Sequence, residues 1–382
     1  MPAIARLSTI LRKTTSFFID SCGLSLATAI AVTSKLNSFS RSLDYDSINL
    51  RGKSVLAFFQ SYCFSHSQIS KIMSKYPRFL MSNPTRTCSS AAFIHANSFN
   101  PSDLTKIISS NPNILVSSLN NRIIPSLEFL KTILHTDEEV VAAVKRSTQM
   151  LHVDLKAKIS PKIKTLQAIG VPLVNIAKLA KTNPSVLMQS TSRFGESVER
   201  AVSLGFSPSD ANFIRALHSV SATSVANFKR KVEACKKFGL TKDKILSLFK
   251  KNPRIMNLSK KNIRRSFGFF VEKLNWKPEV VFSYPVLLML SLEKRIAPRA
   301  YLCETLASKE LSLTEKGITP QMFLLTEDDF IRKYLKWWNY VGDVFKLGKN
   351  LEYIHAVPGE LVGWFRFSIG AGNETVHSKK IV

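Results

Sequence analysis

Acidic side chains are scarce in this chain. Against 54 Lys and Arg stand 27 Asp and Glu, a formal charge of +27 over 382 residues. A surplus of that size repels itself unless an anionic partner or wide dispersal relieves it, so nucleic acid is the first partner to consider and an anionic membrane the second. Long apolar runs are missing too: Val280 to Leu292 comes nearest and is broken by Ser283, Tyr284 and Pro285, which argues against a membrane span. The five cysteines, Cys22, Cys63, Cys88, Cys235 and Cys303, form no Cys-x-x-Cys pair. They read as reduced packing thiols in a non-secretory compartment. The seven histidines show no metal-ligand spacing, so no metal site and no cofactor are expected.

Catalytic signatures are equally thin. Gly170, Gly205 and Gly239 stand alone rather than in a phosphate-cradling loop, and no Gly-x-Ser-x-Gly occurs, so an enzyme is the least supported class. His152 and Asp154 form one conceivable pair, but residues two apart on a helix face different ways.

What the chain does have is a repeat. Five segments place a proline in one setting: "SKYPRFLM" (Pro77), "SSNPNILV" (Pro112), "KTNPSVLM" (Pro184), "KKNPRIMN" (Pro253) and "FSYPVLLM" (Pro285). Their separations are 35, 72, 69 and 32 residues, and the doubled gaps hold degenerate copies at Thr148 and Ser219. Eight, five and four residues earlier stand apolar triplets such as Leu104, Ile107, Ile108 and Ile245, Leu248, Phe249, one face of an amphipathic helix. The copy at Ser219 is the weak one, with Arg215 on the apolar face.

Each proline should stop the preceding helix and open a short turn, with Asn111, Asn183 or Asn252 placed to cap it. Pro125, Pro161 and Pro298 recur thirteen residues on and should start a second long helix. The unit is therefore helix, short turn, helix in about 35 residues, which cannot bury its apolar faces alone and must stack on its neighbours.

The phased prolines, together with "SVLAFFQSYCFSHSQISKIMSKYP" (54–77), "GLTKDKILSLFKKNPRIM" (239–256) and "PVLLMLSLEKRIAPR" (285–299), resemble the mitochondrial transcription termination factor (mTERF) family in its plant form. The resemblance runs from about Phe17 to about Leu335. It implies an all-α solenoid of helix–short helix–helix repeats, stacked at right angles into a superhelix with a basic concave groove. It also implies a non-enzymatic, monomeric protein of an organelle that binds duplex DNA and governs transcription. RNA splicing or ribosomal RNA maturation is the family's other line of work. The expected organisation is a presequence at 1–16, the repeat array at 17–338 and a Gly-rich extension at 339–382.

Charge points to contact residues. Between Val225 and Ala300, 19 Lys or Arg and five acids leave +14. Lys260, Lys261, Arg264 and Arg265 form a basic face beside an apolar stripe of Ile263, Phe267 and Phe270. About ten residues past each repeat proline come Arg122, Lys158, Arg193, Lys229 and Arg295, a row that would meet phosphates at helix starts or tie one repeat to the next. Arg299 and Arg254 join the set. The phenylalanines are expected in the core; stacking on bases would need exposed rings. A protein-binding scaffold is the remaining alternative.

The first 43 residues carry Arg6, Arg12, Lys13, Lys35 and Arg41, thirteen Ser or Thr, and Asp20 as the one acid. That is the composition of an organelle import segment. Its Arg–Lys spacing with Leu7, Ile10 and Leu11 favours the mitochondrion over the chloroplast.

Overall fold

A computed structural model describes residues 2–39, 45–77, 84–308 and 317–334. Among these residues every regular element is helical. The predicted 339–382 extension lies outside the described residues, as do Phe79 and Leu80. Two compact units meet in sequence at Ser221 and Ala222, a division that the expected single array at 17–338 did not include. The 16/17 boundary falls inside the continuous helix Pro2–Asp20, whose Phe17 and Phe18 are buried.

One helix shows how the repeat forms. Thr136 caps Asp137–Arg146 by accepting from the Glu139 amide at 3.3 Å, Asp137, Glu138 and Glu139 fill the first turn, and Lys145 and Arg146 the last. Both charge blocks suit the helix dipole. Val140, Ala143 and Val144 face inward, where each large apolar side chain contributes about 1.5–3 kcal/mol on burial. The same three positions are buried in His66–Lys75, Pro101–Ser110, Leu173–Thr182 and Lys242–Lys251. The pairs after the proline are buried as well: Ile114–Leu115, Met150–Leu151, Val186–Leu187, Ile255–Met256 and Leu287–Leu288.

Four expectations need correction. At the weak copy the helix Ala211–Ala222 runs unbroken through Ser219, because serine keeps the N–H that proline lacks. Phe213 and Ile214 are buried while Arg215 is exposed, and the cap Ser224 lies six residues past His218, as Ser118, Ser190 and Ser259 lie past their prolines, so the copy's true phase centres on His218. Second, Asn111, Asn183 and Asn252 make no side-chain cap. Each instead ends the preceding helix with its backbone N–H, and Asn111 Nδ2 donates to His152 Nδ1 at 2.9 Å.

Third, the second helices begin before their prolines, at the side-chain caps Ser118, Asp154 and Ser291. Pro161 lies inside Leu155–Ala168. Pro125 and Pro298 each follow a π turn, Leu119–Ile123 and Leu292–Ile296. There the chain bonds five residues back, Ile124 N–H to Leu119 O and Ala297 N–H to Leu292 O; this wider turn carries one more residue just before an imino acid that can donate nothing. Fourth, Pro320 opens a further short helix with Met322 and Phe323 buried, 35 residues after Pro285 and overlooked in the repeat count.

A polar position also recurs inside the core. Ser126, Lys162, Ser197, Lys231, Ser266 and Arg299 are all buried, 33 to 36 residues apart, serine alternating with a long cation. Counted from the cap, the interval is seven residues at Ser190, Ser224 and Ser259, and eight at Ser118, Asp154 and Ser291, with a π turn at Ser118 and Ser291.

Two outcomes test this account. Gly170 closes the Leu155–Ala168 helix at φ +89° with open space around a would-be Cβ, so Gly170→Ala should cost about 1–2 kcal/mol from backbone strain alone, read by urea unfolding. Burial, and then the Lys158 charge, hold the His152 imidazole below its ordinary pKa. The unfolded chain therefore takes up that proton first, and stability should fall as pH drops below about 6.5. His152→Gln should flatten that part of the pH–stability curve.

Candidate nucleic-acid interface

The helix Lys260–Gly268 starts at Ser259, whose Oγ accepts from the Asn262 amide at 3.1 Å. Ile263, Ser266 and Phe267 are its buried face. That fixes Lys260, Lys261, Arg264 and Arg265 outward, all exposed and together lining one open cavity of about 560 Å³. Arg265 is paired with Glu293. The Glu293 carboxyl is held below its usual range, first by a backbone N–H and then by Arg265. Lys260, Lys261 and Arg264 have no hydrogen bond or ion pair to a described residue, so their charge is available to a ligand.

A second open cavity, of about 350 Å³, lies between Arg146–Gln149 and Ser185–Gln189. It is lined by hydroxyls and amides, Met188 and a single cation, Arg146, whose Nη1 donates to Ala142 O. Charge therefore separates the two, and the first is the more cationic.

The predicted row divides. Arg122 pairs with Asp154 at 3.4 Å, Arg193 donates to Ser221 O at 3.2 Å, and Arg295 donates to Phe323 O at 3.0 Å and to Leu325 O. These three tie one repeat to the next. Lys229 and Arg254 are exposed, and Lys158 is half-buried. Lys250 closes a helix, and Lys251 lies over the Phe282 ring at 4.3 Å.

Arg299 leaves the contact set. It is 0% exposed, and its guanidinium donates to Met322 O at 3.0 Å, Leu325 O at 2.8 Å and Glu327 at 2.7 Å. A side chain so enclosed cannot reach a phosphate. Two lysines that the sequence reading passed over behave alike: Lys162 donates to Leu187 O at 2.7 Å and to Gln189 O, and Lys231 to Met256 O. Burial holds both amines below the ordinary lysine pKa. The available signal was spacing, since each lies 25 residues before the carbonyl it serves and the two are 69 apart.

The aromatic residues are packing groups. Phe267 and Phe270 are fully buried, Phe267 stacked on Phe238 and Phe270 on Trp276. The His152–Asp154 pair is no dyad: Asn111 occupies the imidazole, and Asp154 caps the Ala157 amide at 3.0 Å. Among the described residues no group of His, Cys, Asp and Glu could hold a metal ion, and no helix is long and apolar enough to cross a membrane.

The repeat phase, the proline-stopped helices and the buried pairs agree with a comparison against known families. The family model described as mTERF matches residues 56–267 and 259–331. The chain belongs to the mTERF family. Among curated proteins it is similar to "Transcription termination factor MTERF8, chloroplastic" from Arabidopsis thaliana, 22% identical over 174 residues. That stretch covers 45% of this chain and 35% of the relative, so the match spans about a third of the relative's length. The mTERF match covers the basic helix and every residue of the predicted contact set.

Removing Arg299 separates structural from surface charge. Arg299→Met should destabilise the second unit by about 3 kcal/mol, since more than one buried carbonyl loses its donor. Arg264→Met should change stability by less than about 0.5 kcal/mol; urea titration of each variant compares them.

Proposed function

We propose that this mTERF-family chain is an organellar nucleic-acid-binding protein that acts on double-stranded DNA and regulates transcription. The observation that carries the reading is the cluster of Lys260, Lys261, Arg264 and Arg265 on one exposed face, with Glu293 as its one bonded acid. Four cations on a docked helix meet successive phosphates, and Lys229 and Arg254 extend the positive field. Such contacts position a protein on a duplex without reading its sequence. The transcriptional role is supported by the name of the Arabidopsis relative, and the non-enzymatic reading by family membership.

The Ser- and Arg-rich first 43 residues support an organellar destination, as does the word "chloroplastic" in the relative's name. The Arg12–Lys13 spacing with its leucines favours the mitochondrion. A fluorescent fusion of residues 1–60 reads the destination directly.

Anisotropy titration with a labelled duplex tests the binding. Affinity should fall about 10³–10⁵-fold between 50 and 200 mM salt if six to ten phosphates are neutralised. Changing Lys260, Lys261 and Arg264 together to Ala should lower the salt slope by about three. Tighter binding to structured RNA than to duplex would move the target to RNA. Unchanged binding by the triple variant would leave a protein-binding scaffold.

A further inference from the structure

We propose that Lys231 is a positioning residue for the basic helix, holding its first turn in place from inside the protein. This rests on the reading of Lys260–Arg265 as the nucleic-acid face. Lys231 lies on the helix Val225–Lys236, which packs against Lys260–Gly268. It is 8% exposed, and its Nζ donates to Met256 O. Thr223 Oγ1 donates to the same carbonyl at 3.2 Å. Met256 belongs to the short turn Pro253–Asn257, and three residues later Ser259 caps the basic helix. The carbonyl therefore marks where the chain turns from the buried pair Ile255–Met256 into the exposed cations.

The geometry has parallels. Lys162 holds Leu187 O and Gln189 O directly before the Ser190 cap of Thr191–Ser203. Arg299 holds Leu325 O and Thr326 O directly before Glu327–Tyr334. In each case a buried cation serves the carbonyls that precede the next helix, where an undonated carbonyl would be costly. At Lys231 alone the helix so launched presents a cation cluster. A buried ammonium thus controls the register in which exposed ones meet phosphates, without touching a ligand.

The test uses the full chain and a labelled 30-bp duplex, titrated between 50 and 200 mM NaCl. Lys231→Met removes no exposed charge, yet it should weaken binding about tenfold at 100 mM and lower the salt slope by about one to two, because fewer phosphates are engaged together. Amide exchange at residues 258–263 should quicken. Lys231→Arg should restore affinity and slope, since a guanidinium reaches the same carbonyl. Lys162→Met, the matched loss elsewhere, should leave both unchanged. Thr223→Val keeps every charge and should shift affinity the same way, about two- to threefold, which covers the case in which Lys231→Met fails to fold. Wild-type affinity and slope in Lys231→Met, or in Thr223→Val where the former does not fold, would overturn the proposal, as would an equal loss in Lys162→Met. If the triple variant of Lys260, Lys261 and Arg264 loses binding while the Lys231 and Thr223 variants do not, the positioning role alone falls. If the triple variant binds like wild type, the nucleic-acid reading falls and the positioning role with it.

Discussion

The short turn that follows each first helix leaves carbonyls with no donor of their own, and at Leu187, Met256 and Leu325 they point into the protein. Buried acceptors must be satisfied. The chain answers with side chains sent from the preceding second helix: Lys162, Lys231 and Arg299 over long reach, and Ser126, whose Oγ donates to Val153 O at 3.4 Å. The short turn, which makes the unit modular, also creates the demand that joins neighbouring repeats at these four places. Modularity and coupling have one cause.

That demand changes the meaning of the charge. A formal +27 suggests a protein covered in contacts for a polyanion, yet among the described residues Lys162, Lys231 and Arg299 are committed inside. Besides the buried three, Lys145 pairs with Asp103 and Lys181 with Glu139, each bridging adjacent repeats. Few acids are present, and several are spent on these links. At the surface, Lys260, Lys261 and Arg264 stand together on one helix without a hydrogen bond or ion pair to a described residue, and the nearby Glu293 is bonded to Arg265. Their proximity on one face gives a strong local field at that helix.

The sequence made the apolar architecture legible and the polar one only in part. The triplets before each proline and the pairs after it obey local periodicity, so Leu104 or Ile255 could be placed by counting. The destination of a cation depends on a partner about 25 residues away, which no local pattern states. Arg299 and Lys260 look alike in a row of basic residues; one is enclosed and the other free. The Asn caps were misjudged because the residue before proline is already occupied in ending the previous helix. Ser219 was set one position out of phase because, without a proline, nothing marks the junction, and Pro320 was missed although its spacing announced it.

The π turns at Leu119–Ile123 and Leu292–Ile296 have a bearing on how such a chain can vary. A wide turn takes up the eighth residue between cap and buried polar position at Ser118 and Ser291, while the Asp154 copy takes it up within a continuous α-helix. An insertion or deletion there leaves the apolar stripe aligned, whereas one in the first helix would rotate it by about 100°. Repeats of unequal length within the chain thus share one packing scheme. The cap lies six residues past the repeat proline at Ser118, Ser190, Ser259 and Ser291 alike, so the stretch from proline to cap is the fixed frame for cutting or grafting units, and the slack lies beyond it.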